Sequence, residues 1–368
     1  MEVVSVIIPA YNAAAAIAET IASAQEQTYQ DLEILVVDDG STDDTAAIVE
    51  EIAARDTRVR LLRQSNQGVA SARNFAIRES RGSLLAPLDA DDLWHPEKIA
   101  RQISIMRERG PTVGLVYAWS SSIDEQGQII RLPERVSLQE GSIFPFLIIR
   151  NLIGNGSVPL LRRTCVIAVG GYDPSLRARG CEGCEDLLLY LTIAARYDVA
   201  VVPAFLIGYR KSAVSMSRNV EQMRRSRDLV IRTIRARHPE LPGRIFRWAT
   251  ALNCWQMAGW MHHVSLLTGS AFCARTFAYD PGFLFEPPLW ISARRTATRL
   301  AQRVGLMDGE CERGLRFLES RASSDGHLGL NTRLFSRRRY RFLQSQAYAT
   351  SHRGPTVPPN FNTETGPV

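Results

Sequence analysis

Glu33-Ile34-Leu35-Val36-Val37-Asp38-Asp39-Gly40-Ser41-Thr42-Asp43 decides the fold class. Leu32 to Val37 is a short, nearly continuous apolar run, the pattern of a strand buried on both faces. It stops at Asp38-Asp39-Gly40, a composition that turns the chain. Ser41 with Asp44 three residues on predicts a capping box and hence a helix start. Ala46, Val49, Ile52 and Ala53 then fall on one side of that helix.

The same alternation extends in both directions. Val3 to Pro9 reads as an earlier strand, followed by Ile17, Ile21 and Ala24 at helical spacing. Arg58 to Leu62 and Leu84 to Leu88 read as two further strands. Pro96 sits where a first helical turn tolerates proline, and Ile99, Ile103 and Met106 continue that helix. Strands separated by helical crossovers predict an α/β fold with a Rossmann-like, mainly parallel sheet and helices on both faces. Such sheets bind ligands beyond the carboxyl ends of their strands. Tyr11-Asn12, Asp38-Asp39 and Asp89 to Asp92 are the polar clusters expected there.

Past residue 110 the pattern loosens. Val113 to Trp119 and Val199 to Ile207 predict strands, and Leu187 to Ala195 a helix. Gly154-Asn155-Gly156-Ser157 and Gly170-Gly171-Tyr172-Asp173 predict loops. From about 216 the chain becomes Arg-rich and helical, which predicts a C-terminal α-helical region. Residues 248–281 predict two helices with a break near Thr268-Gly269. Trp255, Ala258, Gly259, Ala271 and Ala278 fall where a tetratricopeptide-like hairpin packs, though one partial copy suits any helical hairpin. The last 45 or so residues, rich in Arg, Ser, Pro, Asn and Thr, predict disorder, with Arg337-Arg338-Arg339 as solvated charge.

Composition narrows the classes. Of 368 residues, 45% are hydrophobic and 22% charged, enough for a sizeable globular core. The net charge of +6 suits phosphorylated ligands or anionic lipid but is common among soluble enzymes; no nucleic-acid partner is expected. Six cysteines are sparse for this length and predict reduced thiols. Cys181 and Cys184 form a C-x-x-C without the second ligand pair that zinc wants. Val3 to Pro9 lacks a basic leader, and no run reaches the ~18 apolar residues of a spanning helix. The expectation is a cytoplasmic protein, with the basic 218–237 segment available for peripheral contact at the inner membrane face.

Asp89, Asp91 and Asp92 end an apolar strand. Three adjacent carboxylates repel one another, and a hard divalent cation (Mn²⁺ or Mg²⁺) would relieve that repulsion. An acidic turn capping the helix after Pro96 reads the same way in isolation.

The remaining motifs separate these readings. Val4-Ser5-Val6-Ile7-Ile8-Pro9-Ala10-Tyr11-Asn12, the stretch Glu33 to Asp43, Asn66-Gln67-Gly68-Val69-Ala70-Ser71-Ala72-Arg73-Asn74 and Pro87-Leu88-Asp89-Ala90-Asp91-Asp92 occur together. In order and spacing they resemble the family 2 glycosyltransferases, inverting enzymes of the nucleotide-diphospho-sugar transferase superfamily with the GT-A fold. The resemblance is strong over residues 1–110 and weaker to about 217. It implies a nucleotide-sugar-binding half over 1–110 and an acceptor and catalytic half over 111–217, followed by helices over 218–320 and a basic tail over 321–368.

The resemblance also implies roles. Pro9, Ala10 and Tyr11 would line the nucleotide pocket. Asp39, with Asp38 beside it, would accept a hydrogen bond from the base, which favours uracil or thymine. Arg73 would lie near the base or diphosphate. Asp89 and Asp91 form the D-x-D; Asp91 and Asp92 are the candidates for the metal. Cys184-Glu185-Asp186 matches the Glu-Asp motif of the acceptor half, with Asp186 as general base and Glu185 supporting it. Tyr209-Arg210-Lys211 with Ser215 and Ser217 resembles a late Tyr-Arg-x-His…Ser element, with Lys211 where His is common. Arg210 and Lys211 would neutralise the leaving diphosphate.

The implied activity is transfer of a sugar from a UDP-sugar to a hydroxyl of a glycan, lipid-linked or other acceptor in polysaccharide biosynthesis. Two alternatives stay open: an inactive nucleotide-sugar-binding scaffold, and a nucleotidyltransferase on a similar fold. The latter lacks its Gly-rich phosphate loop, since Ala10-Tyr11-Asn12 follows the first strand.

Overall fold

The computed structural model describes residues 2–133, 136–212, 219–261, 266–285 and 337–351. The first half runs β1 (Val4–Ala10), α1 (Ile17–Gln25), β2 (Leu32–Asp38), α2 (Thr45–Ala53), β3 (Val59–Arg63), α3 (Val69–Glu79) and β4 (Leu84–Pro87). It continues through β5 (Leu93–Trp94), α4 (Lys98–Arg109), β6 (Val113–Ile123), β7 (Ile129–Arg131), α5 (Phe144–Ile149) and β8 (Leu160–Arg162). Then come α6 (Arg163–Ala168), α7 (Ser175–Ala178), α8 (Glu185–Ala194) and β9 (Asp198–Arg210). Helices α9 (Val220–Arg237), α10 (Gly243–Met261) and α11 (Leu266–Tyr279) follow, and α12 (Arg337–Ser351) lies near the C-terminus.

The nine strands form one sheet in the order β3-β2-β1-β4-β8-β6-β9-β5, with β7 beside β6. β1 pairs in parallel with β2 and β4, and β2 with β3, as right-handed crossover units require. The second half departs from uniform parallelism. β8 runs antiparallel between β4 and β6, β6 and β9 are parallel, and β5 is antiparallel to β9. β1 and β2 are buried along their whole length, which is why both read as continuous apolar runs.

Four local expectations are corrected. Ser41 does not cap α2, which starts at Thr45 behind Asp44; the Ser41 hydroxyl instead accepts a 3.0 Å bond from the Asn12 amide. The break near Thr268-Gly269 lies inside α11, which begins at Leu266. Residues 337–351, expected to be disordered, form α12. Leu343 is fully buried there, and the half-buried Phe342 ring meets Trp248 edge-on. Arg339 is not solvated charge: it is buried and bonded to Asp280. The rest of the tail lies outside the described residues.

The five described cysteines carry free thiols; Cys311 lies outside the described residues. Among the described residues no helix is long and apolar enough to cross a membrane.

Candidate active site

A cavity of about 1070 Å³ opens at the carboxyl ends of β1 and β4, where the parallel half of the sheet directs ligands. Pro9, Tyr11, Arg73, Asp89 and Asp91 line one side. Glu185 and Asp186 line another, together with Asn155 and Gly156. Met223, Arg224 and Arg227 from α9 and Asn253, Gln256 and Met257 from α10 form a third wall.

Tyr11 is half exposed, so its ring offers a stacking face. Ala10, one residue out of phase on the strand, is buried and does not line the cavity. Asp38 and Asp39 are also buried behind the lining. Asp38 accepts from the Ser41 amide. The Asp39 carboxylate accepts from Gln64 Nε2 (2.7 Å), the Gln67 amide (2.8 Å) and the Gly68 amide (2.8 Å), clamping the start of α3. An ionised carboxylate offers about four acceptor positions, so one remains on Asp39.

Arg73 joins the two halves of the site. Nη2 donates to Asp89 and Nη1 to Glu185 at 2.9 Å, while the Tyr172 ring lies 5.1 Å from the guanidinium carbon. A Cβ on Gly156 would lie 2.5 Å from Arg73 Nη2 and 2.9 Å from Asp89 Oδ2, so only glycine admits this pair. The Gly154 to Ser157 loop therefore belongs to the site. Its glycines and serine signalled a turn, and nothing local in the sequence placed it against Arg73.

The acidic cluster divides. Asp91 lines the cavity, and among the described residues its carboxylate is hydrogen-bonded only within its own residue. Burial, and then the neighbouring Asp89, push it up to about 6. Asp92 is fully buried and points elsewhere: its oxygens accept from the Ser157 hydroxyl and, at 2.9 Å, from the Arg210 amide. Asp92, expected at a metal with Asp91, thus stands behind the cavity lining, and each of its oxygens holds a loop partner. Burial holds its carboxyl well above the usual range.

Arg210, expected at the nucleotide sugar, lines the cavity while its guanidinium holds loop partners. Its Nε donates to the Asp91 carbonyl (2.6 Å), Nη1 to the carbonyls of Asp124 and Glu125, and Nη2 to Glu19 (2.6 Å). It reaches the cavity wall as a clasp between loops, with its charge answered by Glu19. Lys211 lines the cavity beside it, 3.9 Å from the Tyr209 ring centroid. Ser215 and Ser217 lie outside the described residues.

Glu185 and Asp186 open α8, where the helix dipole favours acids. Glu185 is tied down by Arg73 and by the Gly183 amide at 3.0 Å. Asp186 accepts only from the adjacent Leu187 amide. Burial, and then the Glu185 charge, push its carboxyl up to about 8. One acid of the pair is thus held by Arg73 and a backbone amide, and the other is a carboxylate of raised pKa at the cavity wall.

No group of three or more metal-ligating side chains occurs among the described residues. The chemistry present is the Asp91 carboxylate beside Asp89, whose second oxygen is not used by Arg73. This suits an oxygen-preferring cation that takes its remaining ligands from a bound diphosphate and water.

The Glycosyl transferase family 2 profile matches residues 5–162. Chondroitin synthase of Escherichia coli is 40% identical over 127 residues, 34% of this chain and 18% of that protein. An uncharacterized glycosyltransferase of Haemophilus influenzae is 31% identical over 169 residues, 44% of this chain and 66% of that protein. An uncharacterized glycosyltransferase of Rickettsia felis is 32% identical over 198 residues. The chain spans 31% of that protein's length, so it covers under a third of this relative and of the chondroitin synthase. The mannosyltransferase PcManGT from Pyrobaculum calidifontis, solved with GDP-Man and Mn²⁺, superposes with a TM-score of 0.54 at 21% identity, over 83% of this chain and 87% of that one. That likeness shows a shared fold. With the profile match and the curated relatives, it places the chain, through residues 5–162, in glycosyl transferase family 2 with the GT-A architecture.

Proposed function

We propose that the protein transfers a sugar from a nucleotide-diphosphate donor to an acceptor hydroxyl with inversion at the anomeric carbon. The observation that carries this reading is the cavity itself. One wall presents the paired carboxylates Asp89 and Asp91, and another presents Asp186, a raised-pKa carboxylate. The donor occupies the side of residues 1–110, with Tyr11 against the base. A uridine donor is the first to test, the base preference that the resemblance of the Asp38-Asp39 motif implies, with Asp39 itself set behind the lining.

Asp91 and Asp89 would hold the divalent cation. When bound, it supplies charge neutralisation for the departing diphosphate. Asp186 takes the acceptor hydroxyl proton as that oxygen forms its bond to the anomeric carbon. The bond from the anomeric carbon to the phosphate oxygen breaks, and its electron pair leaves with the diphosphate. Arg73 and Glu185 keep the two carboxylate walls at fixed separation, and α8 supplies the rigid mount for Asp186.

The curated relatives include a chondroitin synthase, and the glucosyltransferase WfaP of Escherichia coli (44% identical over 107 residues) is named for a diphosphoundecaprenol-linked acceptor. Both support a glycan or lipid-linked acceptor in polysaccharide synthesis.

Calorimetry with nucleotide diphosphates tests the donor side. UDP affinity should fall on chelation of Mn²⁺ and in Asp91→Asn, but not in Asp186→Asn. Equal affinity with and without the cation would remove the metal from the mechanism. A product that keeps the donor's anomeric configuration would remove Asp186 as base.

A further inference from the structure

The wall of the cavity built by α9 and α10 has no place in the donor chemistry. Helix α9 is rich in arginine, and most of that charge is answered locally. Arg224 is bonded to Glu221 and Asp228 at 2.7 Å each, and Arg225 to Glu221 at 2.9 Å. Asp228 is further held by Asn253 of α10 at 3.1 Å. Arg227 differs. It forms no ion pair with a carboxylate among the described residues; Nη2 donates to the Ile149 carbonyl at 2.8 Å, and Nε is buried without a hydrogen-bond partner. Burial, opposed only weakly by Cys184 and Asp228, lowers its pKa from the usual arginine value. A desolvated guanidinium with an orphaned donor costs free energy unless a ligand completes it.

Its surroundings give that cost a direction. Arg227 lines the cavity together with Asp186, on a helix fastened to the loop that carries the base. The Ser226 hydroxyl donates to the Glu182 carbonyl at 2.7 Å, four residues before Asp186. Gln256 and Asn253 add amide groups to the same wall, and Met223 and Met257 add apolar surface. Asp89 and Asp91 line the same cavity with Arg73, Arg210 and Lys211 beside them, whereas the helical wall brings Arg227, a guanidinium that no carboxylate pairs among the described residues.

We propose that the α9–α10 wall is an acceptor subsite for an anionic sugar or glycosyl phosphate, with Arg227 receiving the oxyanion while the acceptor hydroxyl faces Asp186. This rests on the glycosyl-transfer reading and adds the charge class of the acceptor. A planar guanidinium pairs with carboxylate or phosphate alike. The shared chemistry is therefore a tetrahedral or planar oxyanion close to the hydroxyl that is glycosylated.

The full chain in chelated, metal-free buffer provides the test. Chelation removes the cation that would recruit anions to Asp89 and Asp91, and the Arg227 variants separate binding at the helical wall from binding at Arg73, Arg210 or Lys211. Glucuronate, glucose 1-phosphate and neutral glucose are titrated by ligand-observed NMR. The expected result is that at least one charged sugar binds about tenfold or more tighter than glucose, the scale of a charge-assisted bond. Which of the two is preferred separates a carboxylate from a phosphate source. Arg227→Gln should abolish the preference, and Arg227→Lys, which keeps the charge, should retain part of it. Equal binding of all three sugars, no binding by either charged sugar, or a preference that survives Arg227→Gln would overturn the proposal. A wild-type protein that fails to bind any nucleotide diphosphate with Mn²⁺ would instead sink the donor reading, and the metal-free result would stand apart from it.

Discussion

Asp186 combines two properties that seldom coexist in a surface acid: little hydrogen bonding and a carboxyl raised to about 8. A base must be ionised to act, so kcat/KM for the free enzyme should rise with pH and level off near pH 8. Asp186→Asn should lower kcat by about 10²–10⁴-fold and flatten that limb. The same group carries a stability consequence of opposite sign. Its folded pKa lies above the ordinary value of 3.8, so the native state binds the extra proton between pH 3.8 and about 8. Stability from this group is therefore greatest at low pH and is lost as pH climbs through that window. Asp186→Asn should melt no lower than the wild type at pH 9, measured by calorimetry. A variant inactive because it is unfolded would show the reverse.

At this scale the sequence is half readable. Asp91, Arg73 and Asp186 lie where motif spacing puts them, at one cavity. The partners that Asp92 and Arg210 take were not legible, because a residue's direction at a strand end depends on groups far along the chain. Ser157 and Glu19, which engage them, lie 65 and 191 positions away. Arg227 was legible only as one charge in a basic run, since neither its burial nor its missing partner has a local signature.

At the scale of elements, α4 holds an unexpected feature. Lys98 opens it fully buried, with Nζ 3.7 Å from the Trp94 ring centroid and 3.4 Å from the Pro159 carbonyl. Burial without a carboxylate partner pushes its pKa well below 10.5. The unfolded chain thus binds the proton that the folded chain sheds, and stability from this group rises with pH until 10.5 is reached. Lys98→Met should match or exceed wild-type stability at pH 7 and lose that pH slope, read by urea denaturation at pH 7 and 9. A loss of about 2 kcal/mol or more would mean that the amine makes a net favourable polar contact. Elements themselves were largely legible, because periods of 2 and 3.6 are local properties. The starts of α2 and α11 were not. Asn12 claims the Ser41 oxygen expected to cap α2, and a single glycine costs a helix only about 1 kcal/mol, so Gly269 does not break α11.

For the whole molecule, α12 packs back on the catalytic domain. Arg339 is buried against Asp280 and lies 4.3 Å from the Trp248 ring centroid, and Ser142 donates to the Ala347 carbonyl at 3.1 Å. Arg339→Met leaves Asp280 as an uncompensated buried charge, which typically costs about 3–5 kcal/mol. Adding Asp280→Leu should return most of that loss in chemical denaturation, since an apolar pair replaces an ionic one. If the single variant costs nothing, α12 does not stabilise the fold. Composition hid this helix, because a basic, Ser-rich segment reads as tail until its few apolar side chains find a surface.

The sheet order also bears on how the molecule is made. β4 and β5 are separated by only Leu88 to Asp92 in the chain, yet β8, β6 and β9 lie between them in the sheet. The acidic segment is a strap whose far end pairs with Ile207 and Gly208 and is also held by α1, where the Thr20 hydroxyl donates to the Asp92 carbonyl and the Ser23 hydroxyl accepts from the Trp94 amide. Asp92 likewise waits for the Arg210 amide. During synthesis, the strands β1 to β4 can assemble as soon as they emerge, since their pairings are close in sequence. The carboxylates take their working geometry more than a hundred residues later, when β9 arrives. A nascent chain therefore possesses its parallel sheet well before β9 arrives to complete the setting of the acidic segment.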